Sequence, residues 1–216
     1  MKNCINIKSN QNAKLYKLQG EKMKKFYITC LIFMSTLIAA EVDLTTDQCE
    51  ATNDISTEKV FTKDFSGTFN GQKLNYTASL KEKILYEKDN PKAELASFYY
   101  SEYIVSSDEN RPIMFIFNGG PGSASLWLHM GVLGPKIVKV PSDASDDGSP
   151  PYNIIDNNLS PLSETDMVFI DPIGTGYSRA LGCHDGEEFW GVNEDPKIIA
   201  EFIRRWITDN KRWNSQ

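Results

Sequence analysis

The segment FIFNGGPGSASLWLHMG, residues 115–131, constrains the fold more than any other part of this chain. An apolar run comes first, three glycines and a proline follow, and a second mostly apolar run comes next. Glycine lets backbone amides approach a ligand closely and adopt positive φ. The segment predicts a buried strand over Ile113–Phe117, a turn, and a short helix over Ala124–Met130. Ser123 is the expected cap of this helix and Gly131 its end.

A second strand, turn and helix follow in the same order. The apolar run Met167–Ile170 leads into a glycine turn at residues 174–176 and then into a longer helix. Asp195 is the expected cap of this helix, with Pro196 at its first position. Buried strands that alternate with helices predict an α/β sheet with parallel strands. Because ligands bind beyond the carboxyl ends of such strands, both turns are expected at one edge of the sheet.

The region before these motifs has the pattern of antiparallel strands. Asn70-Gly71 separates two strand-like runs within residues 65–80, which is a hairpin signal. Residues 94–106 are aromatic and β-branched and predict another strand. Residues 139–165, rich in Pro, Asp, Ser and Asn, are expected to form a long excursion.

Residues 23–40 resemble a secretory signal peptide, because a short basic region precedes an apolar run that ends in small residues. The apolar run Phe26–Ala40 has 15 residues, whereas a membrane-spanning helix needs about 20. An uncleaved membrane anchor is the alternative. The pattern therefore favours an exported protein, periplasmic or secreted, without a stable membrane span.

The residues before this segment carry five lysines and no hydrophobic pattern, so both Met1 and Met23 are candidate starts. The predicted organisation has four parts: a basic leader over 1–22, a signal peptide over 23–40, a flexible lead-in over 41–58 and a folded domain over 59–216.

Charge and cysteine content exclude several classes of function. Without residues 1–40 the chain keeps 16 basic and 28 acidic residues, a net charge of −12. Such an acidic chain is not expected to bind nucleic acid. It also keeps Cys49 and Cys183, which either form one disulfide or stay as two thiols. The sequence has no CxxC pair and no His/Cys cluster, so neither a metal site nor a cofactor is predicted.

The glycine turn after Phe117 has three interpretations. Phosphate binding is disfavoured, because GxxxxGK[ST] is absent and residues 120–125 match GxGxxG only in part. A purely structural tight turn is the second interpretation. In the third, backbone amides after a central strand form an oxyanion hole for acyl transfer. The residues of the turn alone do not choose between the last two.

Two motifs resemble those of the serine carboxypeptidase family. NGGPGSASLWLHMGVLGP at 118–135 is similar to its NGGPG motif, which a helix and a G-P pair follow. DPIGTGYS at 171–178 resembles its second motif, and FWGVNEDPKIIAEFIRRW at 189–206 looks like the bacterial branch. The similarity runs in order from about residue 60 to Gln216. It implies the α/β-hydrolase fold and a peptidase that removes C-terminal amino acids with a Ser, Asp and His triad.

The resemblance also implies roles for three residues of the first motif. Gly120 would supply an oxyanion-hole amide, and Asn118 and Gly119 would bind the terminal carboxylate of a peptide. Amide donors bind a carboxylate without a full positive charge, so peptide C-termini are the expected substrate class. The structural alternative for Asn118 is a turn residue that bonds to its own backbone.

None of the serines lies in G-x-S-x-G, the motif that holds the nucleophile of α/β-hydrolases. Ser178 comes closest, but the strand before it ends near Asp171, too far away for a nucleophile elbow. His129 and His184 are therefore expected to be structural or solvent-facing. The resemblance implies only the N-terminal portion of the fold, a mixed sheet truncated before the nucleophile strand, and a chain that is inactive alone.

Three functions fit this sequence. The first is a serine-type carboxypeptidase whose oxyanion and carboxylate-binding loop lies here. An acyltransferase on the same scaffold and a non-catalytic peptide-binding remnant are the alternatives. The family topology pairs the missing strand with the one that ends at Asn118. An unpaired edge there predicts poor solubility, or a partner or C-terminal half that completes the sheet.

Overall fold

The computed structural model describes residues 57–106, 111–119, 122–141, 143, 145 and 150–215. The strands are β1 (Val60–Phe69), β2 (Gln72–Tyr86), β3 (Glu94–Val105), β4 (Ile113–Ile116), β5 (Lys136–Val138), β6 (Ile154–Asp156), β7 (Asp166–Ile170) and β8 (Arg179–Ala180). The helices are α1 (Leu126–Leu128), which continues as a π-helix over His129–Leu133, and α2 (Glu194–Asp209). Short 3₁₀ turns lie at Pro161–Ser163 and Gly186–Phe189.

The described strands form one large mixed sheet and one small hairpin. The order in the large sheet is β1-β2-β3-β7-β4, and β8 pairs with β3. Only β4 and β7 run parallel, and the other neighbours are antiparallel. β5 and β6 form the separate hairpin, in which β5 lies just before the predicted excursion and β6 lies within it. The α/β class is confirmed, but parallel pairing is limited to one pair of strands.

The hairpin between β1 and β2 is confirmed with its predicted turn. Phe69 pairs with Gln72 across a two-residue loop. Asn70 and Gly71 both have positive φ, 48° and 81°, as a type I′ turn requires. The Asn70 carboxamide donates to the Ser163 hydroxyl at 2.7 Å, so the turn is also tied to the region before β7.

The sheet buries apolar side chains on both faces, and all five residues of β7 are buried. The face that α2 covers, the helix face, includes Phe98, Tyr100, Val168 and Ile170, which pack with Ile198, Ile199, Phe202 and Trp206. The opposite face, the loop face, includes Tyr76, Tyr103, Val105, Met167 and Phe169, packed with Leu128, Leu133 and Leu162. β7 therefore contributes side chains to the cores on both faces of the sheet.

The short helix after the first glycine turn starts and ends later than predicted. Ser125 precedes its first residue, rather than Ser123, and the π-helix continues through Gly131 to Leu133. The start is late because Ser125 is bonded through both its amide and its hydroxyl to the end of β7. The end is late because the side-chain amide of Asn157 donates hydrogen bonds to the carbonyls of Val132 and Gly134.

Two further expectations were wrong in detail. Asn193, not Asp195, precedes α2, so Pro196 is its third residue. Proline is tolerated there because the N–H groups in the first turn of a helix have no hydrogen-bond acceptor within the helix. β4 is not buried on both faces either, since Met114 is 37% exposed. β4 is the last strand of the described sheet, so part of its surface has no neighbour.

Candidate functional site

The two glycine turns lie at the same edge of the sheet, as the sequence predicted. Ile116 pairs with Phe169 in the parallel ladder between β4 and β7. Asn118 follows β4 by two residues, and Asp171 follows β7 by one. The carboxyl ends of parallel strands are where α/β proteins bind ligands.

The Asp171 carboxylate joins the two turns. Its Oδ1 accepts the backbone N–H of Ser125 at 2.8 Å. The Ser125 hydroxyl donates to the carbonyl of Ile170. Gly176 lies so close to Asp171 Oδ2 that a Cβ there would collide with it. Burial raises the pKa of Asp171, and the N–H from Ser125 opposes this rise in part.

Ser178 is a structural residue. Its side chain is fully buried, and its hydroxyl donates to the Asp171 carbonyl at 2.7 Å. The same hydroxyl accepts the N–H of Tyr99 at 2.8 Å. The bond with Tyr99 anchors the second turn to β3, and the bond with Asp171 closes the turn on itself. Because the hydroxyl proton is committed to a carbonyl, Ser178 is not placed as a nucleophile.

Asn118 carries a buried polar atom without a partner. Its Oδ1 is excluded from solvent, and no donor among the described residues forms a hydrogen bond with it. Buried polar groups in folded proteins are nearly always paired, so this oxygen marks a place where a donor is missing. Gly119 is exposed, and no described atom lies within 4 Å of the position of a Cβ. Gly120 lies outside the described residues.

His129 belongs to the core of the loop face. Its Nε2 lies 2.6 Å from the hydroxyl of Tyr103, and its ring stacks on Phe169 at 4.4 Å between centroids. Burial lowers the pKa of His129 to about 4, so the ring is neutral at physiological pH. Its position in the core agrees with the structural role that the sequence predicted.

His184 lies in an ion-pair cluster. Its two ring nitrogens are each 2.9 Å from a carboxylate oxygen, one of Glu87 and one of Glu188. The hydrogen bond with Glu188 is the main cause that raises the pKa of His184. With both nitrogens engaged, this histidine is not poised as a general base. The neighbouring Cys183 is disulfide-bonded, and its predicted partner Cys49 lies outside the described residues.

A small pocket of about 90 Å³, which no sequence pattern predicted, lies beside Asp171. Tyr99, Ser101 and Tyr177 line it together with Asp171. One signal for it was available, because an acidic residue directly after a buried strand lies at the edge where ligands bind. Tyr99 lies on β3, far from Asp171 in the sequence. Its proximity to Asp171 depends on the order of strands in the sheet, which the sequence did not predict.

The described part of the chain contains neither a metal-binding cluster nor a membrane-spanning helix. No group of three or more His, Cys, Asp or Glu side chains there is arranged to hold a metal ion. No helix within those same residues is long and apolar enough to cross a membrane.

The sheet and the two strand-end turns define an α/β protein of the hydrolase type. A family model described as serine carboxypeptidase matches residues 73–216, and the chain belongs to this family. The chain is 27% identical over 213 residues to serine carboxypeptidase-like 38 of Arabidopsis thaliana, a match that covers 86% of the chain and 40% of that protein. It is 26% identical over 125 residues to serine carboxypeptidase-like 5 of the same plant, covering 56% and 27%.

The matches cover well under half the length of these curated relatives. The family membership indicates a peptidase or hydrolase. Both relatives are plant proteins, and the similarity to the bacterial branch stays a prediction.

Proposed function

We propose that this chain carries the substrate-binding loop of a serine-type carboxypeptidase, with Asn118 and Gly119 at the terminal carboxylate of a peptide and Gly120 at the oxyanion. The observation that supports this most is the buried, unpaired Oδ1 of Asn118 at the carboxyl end of β4. The last residue of a peptide substrate carries both the terminal carboxylate and the N–H of the last peptide bond. A carboxamide can donate to the first and accept from the second.

The rest of the mechanism depends on a nucleophile. In the reaction we propose, a serine attacks the last peptide bond, an acyl-enzyme forms, and the terminal residue leaves. The amides of Gly119 and Gly120 would stabilise negative charge in the bound carboxylate and the tetrahedral intermediate. None of the 216 residues supplies a serine in G-x-S-x-G, and both histidines have structural partners. The triad is therefore proposed to lie outside this sequence.

Peptide binding tests the role of Asn118 directly. Isothermal titration with acetyl-Ala-Ala-norleucine and its C-terminal amide should show a preference for the free carboxylate of at least about tenfold. Asn118→Ala should remove most of this preference. Asn158→Ala is the matched control, because Asn158 is exposed and lies before β7, away from the glycine turns. Equal affinity for acid and amide in the wild-type chain would overturn the proposal.

Turnover distinguishes the loop from a complete site. The purified chain should not hydrolyse a blocked dipeptide, because it lacks the serine motif. Hydrolysis that a serine-directed phosphonate abolishes would show that a nucleophile is present after all. Carboxylate-dependent binding without hydrolysis also fits the non-catalytic alternative, and sequencing the gene past the codon for Gln216 separates the two.

Export through residues 23–40 is the proposed route to the compartment where this peptidase would act. Expression with the natural N-terminus, followed by N-terminal sequencing of the secreted product, checks it. A start close to residue 41 is expected, whereas an uncleaved, membrane-associated product would support the anchor instead.

A further inference from the structure

The pocket beside Asp171 lies next to the proposed carboxylate site. Residue 118 stands opposite residue 171 when the ladder of Ile116 with Phe169 is continued by two residues. Neighbouring strands are about 5 Å apart, so groups bound at the two strand ends can belong to one small molecule or peptide end. The pocket is formed by the middle of β3, the end of β7, Leu80 of β2, Tyr177 of the second glycine turn and the first residues of α1.

The residues that line the pocket include one carboxylate and no basic side chain. Among the described residues of the lining, Asp171 supplies the carboxylate, and none is a lysine or an arginine. Asp171 Oδ1 is bonded to the Ser125 amide, whereas no donor among the described residues bonds to Oδ2. A partly buried carboxylate oxygen without a donor is costly, and a bound cation would remove that cost.

Aromatic rings form the wall above this carboxylate. The rings of Tyr99 and Tyr177 lie 5.6 Å apart, tilted by 52°. Tyr177 is 71% exposed, so its ring is available to a ligand. The Tyr99 hydroxyl already accepts a hydrogen bond from the Lys59 ammonium at 3.3 Å. A carboxylate below tyrosine rings is a combination that attracts organic cations.

The volume of the pocket accommodates a small cation. A cavity needs only about 10–15 Å³ to hold a water molecule, so a pocket of about 90 Å³ has room for an ammonium group and part of the chain that carries it. We propose that this pocket binds a primary ammonium group of a peptide, either the end of a lysine side chain or a free amino terminus. The ammonium would donate to Asp171 Oδ2 and the Ser101 hydroxyl and contact the face of Tyr177. The identification of a peptide as the ligand rests on the proposed function.

Peptide pairs that differ only in the ammonium test the proposal. Acetyl-Ala-Ala-Lys should bind the full chain about tenfold more tightly than acetyl-Ala-Ala-norleucine, which has the same methylenes. Ala-Ala-norleucine against its acetylated form tests the amino terminus in the same way. A preference in only one pair identifies the source of the ammonium. No preference in either pair overturns the proposal.

Variants connect the preference to the pocket. Asp171→Asn keeps an oxygen for the Ser125 amide and should reduce the preference for the ammonium peptide to less than about twofold. Tyr177→Ala changes an exposed side chain and should reduce it by about threefold. Tyr152→Ala, at another exposed tyrosine, should leave it unchanged. If Asp171→Asn does not fold, Tyr177→Ala decides, and an unchanged preference there overturns the proposal.

A probe without a carboxylate keeps this proposal separate from the proposed function. Propylammonium chloride should shift the NMR signal of the Ser125 amide, which is bonded to Asp171, whereas 1-propanol should not. If acid and amide peptides bind equally while propylammonium shifts Ser125, the carboxylate site fails and the ammonium site stands. If propylammonium causes no shift while the acid peptide still binds more tightly than the amide, the ammonium site fails and the carboxylate site stands.

Discussion

Gly176 shows how one residue sets the geometry of the strand-end turns. Its φ of +51° is in the left-handed region, and a Cβ would collide with Asp171 Oδ2. Gly71 also has positive φ, +81°, but nothing described lies within 4 Å of its Cβ position. The two glycines therefore separate the cost of backbone conformation from the cost of displacing a carboxylate.

We predict that Gly176→Ala lowers the free energy of unfolding by about 2–3 kcal/mol, against about 1 kcal/mol for Gly71→Ala. The larger loss reflects movement of Asp171 away from the Ser125 amide. Urea unfolding of both variants and the wild-type chain measures the difference. Equal losses would show that the carboxylate moves without cost.

His129 predicts a loss of stability in acid. Its pKa is about 4 in the native state and about 6.5 when unfolded. The unfolded chain therefore binds this proton first as pH falls, and the native state is disfavoured below about pH 6.5. The contribution reaches roughly 3 kcal/mol near pH 4. His129→Phe, which can keep the ring stack on Phe169, should show a flatter unfolding free energy between pH 6.5 and 4. A variant profile parallel to the wild type would contradict this.

For individual strands, turns and helices, the predictions from sequence were correct where the residues within the element determine its structure. Asn70-Gly71 favours a type I′ turn, and Met167–Ile170 of β7 is an uninterrupted apolar run, so both predictions were correct. The start of α1 was wrong because it depends on Asp171, a residue 46 positions along the chain from Ser125. The hairpin of β5 and β6 was not predicted, because each of its strands is only three residues long.

The candidate site also has one part that local sequence predicts and one part that depends on long-range contacts. Asn118 and Gly119 could be proposed from the sequence because their motif is contiguous, and their roles stay a prediction. The pocket beside Asp171 was missed because Tyr99 comes to it from β3 through long-range strand pairing. The same holds for buried Glu102, which accepts the indole N–H of Trp206 at 2.9 Å from α2. No local sequence pattern predicts that a carboxylate on a largely apolar strand is buried and bonded to a distant helix.

The segment around His184 predicts the opposite pH dependence from that of His129. The imidazole ties Glu87, just after β2, to Glu188 in a 3₁₀ turn. Both contacts are donated only when both nitrogens carry protons, because carboxylates only accept. The pKa of His184 is raised, so its stabilisation is complete below about pH 6.5 and is lost as pH rises through the native value.

We expect His184→Gln to be less stable than the wild type at pH 6, with the difference shrinking by pH 9. Urea unfolding at the two values measures it. Glu87→Gln should reduce the same pH dependence, because it removes one of the two carboxylates that favour the charged ring. A difference that is independent of pH would show that His184 acts through packing against Phe189 rather than through its charge.

For the whole molecule, the arrangement of the sheet determines how the chain behaves in solution. Within the described residues β4 pairs only with β7, and it is the last strand in the order. Met114 and Phe117 are 37% and 41% exposed at this edge. An open strand with exposed apolar side chains invites pairing with another chain. The partner or second segment that the sequence predicted would bind here.

We predict that the purified chain self-associates and that Phe117→Lys reduces the association, because edge lysines disfavour strand pairing. The free energy of unfolding should change by no more than about 0.5 kcal/mol, since Phe117 is already partly exposed. Val192→Lys is the matched control: Val192 is 93% exposed but lies outside the sheet. Sedimentation velocity measures the association of all three proteins. If the wild-type chain is a monomer at every concentration, or if both lysine variants lose association equally, the open edge of β4 is not what drives it.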